Sequence, residues 1–265
     1  MTNKIKKRGE IIPLDVRQVI SRRYHSITKS INQEFWQLSS DSCHSLYVGS
    51  YGRNTAIDTS DIDILVELPS YLFDYYNQLN GNSQSKLLQA VKSAILITYP
   101  NSDVHADGQV IKILFSDDIY FEIIPAFMTD EGTYKYPDSN HGGRWRSTNP
   151  KAEQDAMFLR NQCSNGLLFD TCKHIRYIRD NYFKSYTLSG IVIDSFIYEA
   201  IGNWRWLNPG EPTTRSIYTY EQYLWNYFCL HDIHRGIDIS APGSNEIVAT
   251  DSSYECLGKV LKSMV

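Results

Sequence analysis

Asp61 and Asp63 lie in the stretch Asp61-Ile-Asp-Ile-Leu-Val-Glu-Leu68, whose alternation reads as a β-strand. Residues at i and i+2 of a strand project from one face, with Cβ atoms about 6–7 Å apart, a spacing that suits shared metal ligation. Ile62, Ile64, Val66 and Leu68 point the other way. Burying that apolar face against a core presents the two acids on the free side. Upstream, Gly49-Ser50 follows a short β-prone run, His44 to Val48. A glycine there lets backbone N–H groups approach phosphate oxygens, and the serine adds a hydroxyl donor. Each element alone is common, since turns are full of Gly-Ser and polar strand faces often carry Asp-x-Asp. Their order, with a loop containing Gly, Asn and Thr between them, is far more specific. It points to phosphoryl or nucleotidyl transfer, in which metal ions neutralise phosphates and carboxylates hold the metals. Mg²⁺, a hard ion that takes a few carboxylate oxygens plus phosphate and water, suits that donor set.

A third acid should come from a neighbouring strand. Glu122 fits best: in Tyr120-Phe-Glu-Ile-Ile-Pro125, Tyr120, Glu122 and Ile124 share a face, and Phe121 and Ile123 share the other. An acid in so apolar a strand needs a partner, because an unpaired buried charge is costly. Two partners are open, a metal ion or a nearby lysine or arginine. Asp117 and Asp118 are explained by turn chemistry.

These residues need elements to position them. Pro13 to Gln37 carries Val16, Ile20, Tyr24, Ile27, Ile31 and Phe35 at helical spacing and reads as one long helix, with Pro13 at its start. Ser85 to Thr98 is a second helix. Gln109–Phe115 and Ile119–Phe127 form a hairpin around Ser116-Asp117-Asp118. Thr129 to Asn149 is rich in Gly, Pro, Asp, Asn and Ser and reads as a loop or crossing. Within it, Gly142-Gly143-Arg144-Trp145-Arg146 reads equally as a phosphate-contacting lid or a surface loop. Beyond it the period turns helical over Lys151–Gln162, Leu167–Tyr182, Leu188–Leu207 and Ile217–His234, and the tail from Ile237 reads as mostly irregular. The expected class is α+β, with a mixed α/β part over residues 1–150 and a helical part over 151–265.

The 265 residues, 42% hydrophobic and 21% charged, suffice for a sizeable core without disulfides. A net charge of −4 gives no general attraction to nucleic-acid polymers or anionic membranes, so small nucleotides handled locally are the expected ligands. The five cysteines show no C-x-x-C pair or metal-like spacing and read as small buried hydrophobes in a reducing cytosol. No stretch reaches the roughly 20 apolar residues of a bilayer span, and the start has no apolar signal core, so a cytoplasmic location is expected. Most of the 19 tyrosines and 5 tryptophans should pack the helical part, as Trp204, Trp206, Tyr223, Trp225 and Tyr227 would.

The segment GSYGRNTAIDTSDIDILVEL (49–68), with FEIIPAF downstream, resembles the signature of the polymerase-β-like nucleotidyltransferases. Within that superfamily the chain is most similar to the bacterial relatives of animal cyclic GMP-AMP synthase and oligoadenylate synthase, the CD-NTases of CBASS anti-phage systems. The long helix before Gly49, the Ile-Pro-Ala-Phe after the third acid and the Trp-Arg-Ser-Thr-Asn-Pro-Lys stretch at 145–151 carry that likeness, over about residues 13 to 240. The resemblance implies a bacterial enzyme with a nucleotidyltransferase lobe packed on a helical lobe and ATP or GTP held in the cleft between them. It implies two Mg²⁺ ions, replaceable by Mn²⁺, on Asp61, Asp63 and Glu122. A ribose hydroxyl would attack the donor α-phosphate and expel pyrophosphate, and a second step would close a cyclic di- or oligonucleotide read by a separate effector protein. A regulatory protein partner is also in keeping with the resemblance.

By the same resemblance Lys173, Arg176 and Ser189 would reach the donor triphosphate, with a solvated helix face as the competing reading of the two cations. Where relatives often show Ser-Tyr, this chain has Ser189-Gly190. The alternative functions are transfer onto a protein, RNA end or small molecule by the same fold, or a degenerate nucleotide-binding regulator. The intact Gly49, Ser50, Asp61, Asp63 and Glu122 weigh against the last.

Overall fold

The computed structural model describes residues 4–57, 61–212, 217–231 and 239–265. The chain divides into two units. One comprises residues 12–52 and the described part of 60–149; the other comprises the described parts of 1–11, 53–59 and 150–265. The break at 149/150 falls where the periodicity changes. The leader and the start of the loop after Gly52 group with the helical unit, whereas the sequence reading placed them in the first.

In the first unit, α1 (Leu14–Ile31) starts after Pro13 and buries Ile20, Tyr24, Ile27 and Ile31 on one stripe. It widens into a π-helical turn, Asn32–Trp36, that ends at Gln37 with φ 52°. The Asn32 amide then ties down the next loop by donating to the Ser40 and Cys43 carbonyls at 3.0 and 2.8 Å. β1 (Ser45–Tyr47), a short turn α2 (Gly49–Gly52) and β2 (Ile62–Glu67) follow. Then come α3 (Ser70–Asn77), α4 (Ser83–Thr98), β3 (Asp103–Asp107), β4 (Val110–Leu114) and β5 (Tyr120–Met128). Asn82 caps α4 by accepting from the Ser85 N–H at 2.9 Å.

The strands form one mixed sheet in the order β1-β2-β5-β4-β3, with β2 parallel to β5 and the other neighbours antiparallel. One face is covered by α1 and α4 and buries Ile62, Ile64, Val66, Ile111, Ile113, Phe121 and Ile123 at no more than 1% exposure. The expected split of the Asp61–Leu68 strand into an apolar and an acidic face is therefore what forms.

The stretch 129–149, read as a loop, instead adds a hairpin, β6 (Tyr134–Asp138) paired with β5 and β7 (Arg144–Thr148). Gly132, Gly142 and Gly143, all at positive φ, make its turns. The intervening strands are short, polar and interrupted by Pro137, which hides their period. Arg144 and Arg146 lie 3.0 and 3.6 Å from the buried Asp138, and Trp145 packs on Phe73 and Phe127. These residues form a strand rather than a free lid. α3 and β3 were also missed: each is short, and β3 alternates only one buried residue, Val104, with polar ones.

The second unit contains α5 (Pro150–Cys163), α6 (Leu167–Tyr182), α7 (Gly190–Ala200), α8 (Tyr220–Leu230) and α9 (Tyr254–Ser263), with a short hairpin of β8 (Ile239–Ser240) and β9 (Ile247–Val248). Its core includes Met157, Leu168, Ile175, Val192, Phe196, Leu224, Phe228, Leu257 and Val260. Trp204, Trp206, Tyr223, Trp225 and Tyr227 pack against it, as expected. α7 ends earlier than its apolar pattern suggested, in a turn where Gly202 takes φ 53°. The part of the expected 217–234 helix beyond His231 lies outside the described residues. α9 lies in the tail read as irregular; its buried stripe Cys256, Leu257, Val260 and Leu261 is only ten residues long in all. Among the described residues no helix is long and apolar enough to cross a membrane.

Candidate active site

Parallel pairing of β2 with β5 sets Asp63 directly beside Glu122. The two acids therefore share the sheet face opposite α1 and α4, and Asp61 stands just before β2. Further along that face, Val48, Leu65, Ala126 and Tyr134 form a small apolar cluster that buries the strands behind the acids. Asp63 is half-buried and Asp61 exposed. Burial pushes the Glu122 carboxyl above its usual pKa; Lys112 opposes that shift and the nearby Asp61 charge adds to it. Like charges gathered on one face cost stability unless a cation joins them.

Gly49 stands against this group. The Val48 N–H donates to the Asp63 carbonyl at 2.9 Å, fixing the strand end to β2. Gly49 follows at φ 58°, and a Cβ there would overlap the Asp63 carboxylate. Only glycine permits both the left-handed backbone and the close approach. Ser50 follows in the same turn, α2. The turn and the acids, separate in sequence, are thus one constellation, although residues 58–60 of the connecting loop lie outside the described residues.

The donor set suits Mg²⁺, which is content with one or two carboxylates and completes its shell with phosphate and water. Among the described residues no three His, Cys, Asp or Glu side chains are gathered so that they could together hold a metal ion, so the expected third ligand is not drawn in beside the Asp63–Glu122 pair.

The residues expected to reach a triphosphate from the helical unit are placed differently. Lys173 is buried and donates from Nζ to the Gly9 carbonyl at 2.7 Å; burial pushes its pKa down. Arg176 is 1% exposed and sits in an ion pair with Asp194, Nη1 to Oδ1 at 2.7 Å and Nη2 to Oδ2 at 2.9 Å, while Nη2 also donates to the Gly190 carbonyl at 3.0 Å. Neither cation lies on a solvated helix face, and Arg176 is part of the folded interior rather than a donor held out to a ligand. Ser189 is exposed at the start of α7, with its N–H donating to Ser253 Oγ at 3.0 Å. Gly190 makes room for Arg176, since a Cβ there would come within 3.0 Å of Nη2.

Asp194 also receives Arg53 Nε at 2.9 Å and Thr55 Oγ1 at 3.0 Å, and Arg53 Nη1 meets Glu153 at 2.8 Å. Burial alone would push the Asp194 carboxyl up, but Arg176 and Arg53 hold it below its usual pKa. Two guanidiniums balance two carboxylates in a buried network that fastens residues 53 and 55, just after the Gly49–Gly52 turn. Sequence reasoning passed over Arg53, Thr55, Glu153 and Asp194. An aspartate inside the apolar run Gly-Ile-Val-Ile-Asp-Ser-Phe-Ile was the available signal, on the same argument that singled out Glu122. Lys112, in Val-Ile-Lys-Ile-Leu, was missed despite the same signal.

Residues 6–161 match the family model described as the second messenger oligonucleotide or dinucleotide synthetase domain. A probable cyclic nucleotide synthase of Bacillus cereus (strain VD146) is 28% identical over 120 residues, 42% of this chain and 36% of that protein's length. The fold is similar to that of the Elizabethkingia meningoseptica CdnE cyclic dinucleotide synthase solved with GTP and Apcpp, with a TM-score of 0.62 at 14% identity over 97% of this chain and 92% of that one. It is also similar to CdnC of E. coli MS115-1, solved in complex with HORMA-deltaN, with a TM-score of 0.62 at 12% identity over 95% of this chain and 84% of that one. At these identities the structural likeness establishes the fold.

Proposed function

The chain belongs to the second messenger oligonucleotide or dinucleotide synthetase family, and on that premise we propose that it joins nucleoside triphosphates into a cyclic di- or oligonucleotide with release of pyrophosphate. The observation that carries this reading is the in-register pair Asp63–Glu122 beside the Gly49 turn. Asp61, Asp63 and Glu122 would hold divalent cations, Mg²⁺ or Mn²⁺, which when bound neutralise the triphosphate and favour the ionised form of the attacking hydroxyl. The backbone of Gly49 and the N–H and hydroxyl of Ser50 would orient the donor phosphates. Glu122, in register with Asp63, would take the proton from the acceptor ribose hydroxyl as it attacks the donor α-phosphorus. By the family likeness Ser189, exposed at its helix start, would offer its hydroxyl to the triphosphate; Lys173 would first have to leave the Gly9 carbonyl. We extend the same reading to a role in anti-phage signalling through a separate effector, and to control by a protein partner, on the likeness to CdnC and its HORMA complex.

Purified protein incubated with the four NTPs and Mg²⁺ or Mn²⁺ should yield phosphatase-resistant cyclic products by mass spectrometry. Linear products alone would instead favour transfer to another acceptor. Absence of any pyrophosphate release in either metal, with or without lysate of the native host, would count against transferase activity altogether.

Gly49→Ala should lower pyrophosphate release by at least about tenfold, because the added methyl displaces the Asp63 carboxylate. Its cost in stability should be only about 1–2 kcal/mol, that of one residue held at positive φ. A variant with unchanged turnover would show that Asp63 does not need its present position.

A further inference from the structure

Glu122 meets a cation supplied by the chain itself. Lys112, its direct cross-strand neighbour on β4, brings Nζ to 3.6 Å from Glu122 Oε1. The same ammonium donates to Asp107 Oδ2 at 2.7 Å. Asp107 lies on β3, two positions along from the residue opposite Lys112, and is mostly exposed. Across one level of the sheet the order is therefore Asp63, Glu122, Lys112 and His105. The ammonium is partly exposed and on a flexible stem, so it can pass between the two carboxylates without disturbing the core.

We propose that Lys112 is a built-in counter-ion that stands in for a divalent cation at Glu122 until nucleotide brings the metal in, with Asp107 as the berth to which the ammonium withdraws. This rests on the reading of Asp61, Asp63 and Glu122 as metal ligands. Its physical content is competition. A monovalent ammonium 3.6 Å from the third acid repels an incoming cation and stands in the space that the cation needs. Nucleotide-free protein then holds metal weakly, and the phosphates of a bound triphosphate supply the ligands that tip the balance. Asp107 sets how strongly Lys112 competes, because every moment the ammonium spends there leaves Glu122 open.

The test is Mn²⁺ binding to nucleotide-free protein, read from the electron paramagnetic resonance signal of free Mn²⁺, with no turnover required. Lys112→Met should tighten binding about tenfold, and Lys112→Arg should resemble the wild type. Asp107→Asn should weaken binding several-fold, because the ammonium then stays at Glu122. In the Lys112→Met background Asp107→Asn should have little further effect, whereas a purely long-range charge effect would persist there. Glu122→Gln should abolish the tightening. If Glu122→Gln weakens Mn²⁺ binding but Lys112→Met does not strengthen it, the counter-ion role is overturned and the metal site stands. If neither Glu122→Gln nor Asp63→Asn alters Mn²⁺ binding in any background, the metal-site reading itself fails. Lack of measurable binding in both wild type and Lys112→Met also overturns the proposal, since removing the competitor should bring the site into range.

Discussion

Replacing Asp61 and Asp63 together by alanine should reduce nucleotide transfer by more than about a thousandfold while leaving the protein folded. The magnitude follows from the chemistry: neutralising a triphosphate and its developing charge is worth several kcal/mol, and each 1.4 kcal/mol is about tenfold in rate. The retained fold follows from the sheet. Ile62, Ile64 and Val66 hold β2 against α1 and α4 on the opposite face, and the alanines leave that face untouched. Because that packing is kept, the melting temperature should change by no more than a few degrees. Glu122 should then titrate closer to an ordinary carboxylate, with its burial and the Asp107 charge left to raise it. Pyrophosphate release and thermal melting check both halves. Turnover above about a hundredth of wild type would sink the metal assignment, and a collapsed fold would show that the acids are structural.

Asp194→Ala should be the most destabilising single change in the helical unit, by about 3–5 kcal/mol, because it strands the buried Arg176 guanidinium and leaves Arg53 with Glu153 alone. That is a large part of the 5–15 kcal/mol typical of a folded domain. Asp194 is fully buried and receives four hydrogen bonds from Arg53, Thr55 and Arg176. Asp194→Asn keeps the shape and one oxygen acceptor and should cost less. In the pair Asp194→Ala with Arg176→Met the losses should be clearly less than additive, since the second change removes the stranded charge. Thermal and urea unfolding followed by tryptophan fluorescence measure each variant. A loss below about 1 kcal/mol for Asp194→Ala would mean that water reaches the guanidiniums and the network is less dry than its burial indicates.

Much of the site was legible in the residues themselves. The acid-bearing face of β2, the turn at Gly49-Ser50, the third acid on β5 and the hairpin joining β4 to β5 all follow from local alternation and turn chemistry, which act over a few residues. Long amphipathic helices such as α1 and α6 were equally plain. The short elements were not. β3, β6 and β7 pair with their immediate chain neighbours in hairpins, but each is only five residues long, largely polar and weakly alternating, so their own pattern does not announce them.

The sequence by itself determined that a Gly-Ser turn and paired carboxylates were present, and on which side of a strand two of the acids would lie. Tertiary structure alone decided their company. Parallel pairing of β2 with β5 put Glu122 beside Asp63, the β4 register put Lys112 beside Glu122, and folding of the helical unit drew Arg176 inward to Asp194. The reason is that a charge's role depends on the partner that desolvation forces upon it. Asp63 and Glu122 come from strands far apart in the chain, Arg176 and Asp194 from successive helices, and Lys112 and Glu122 from facing strands of one hairpin, and in each case strand or helix pairing made the partner.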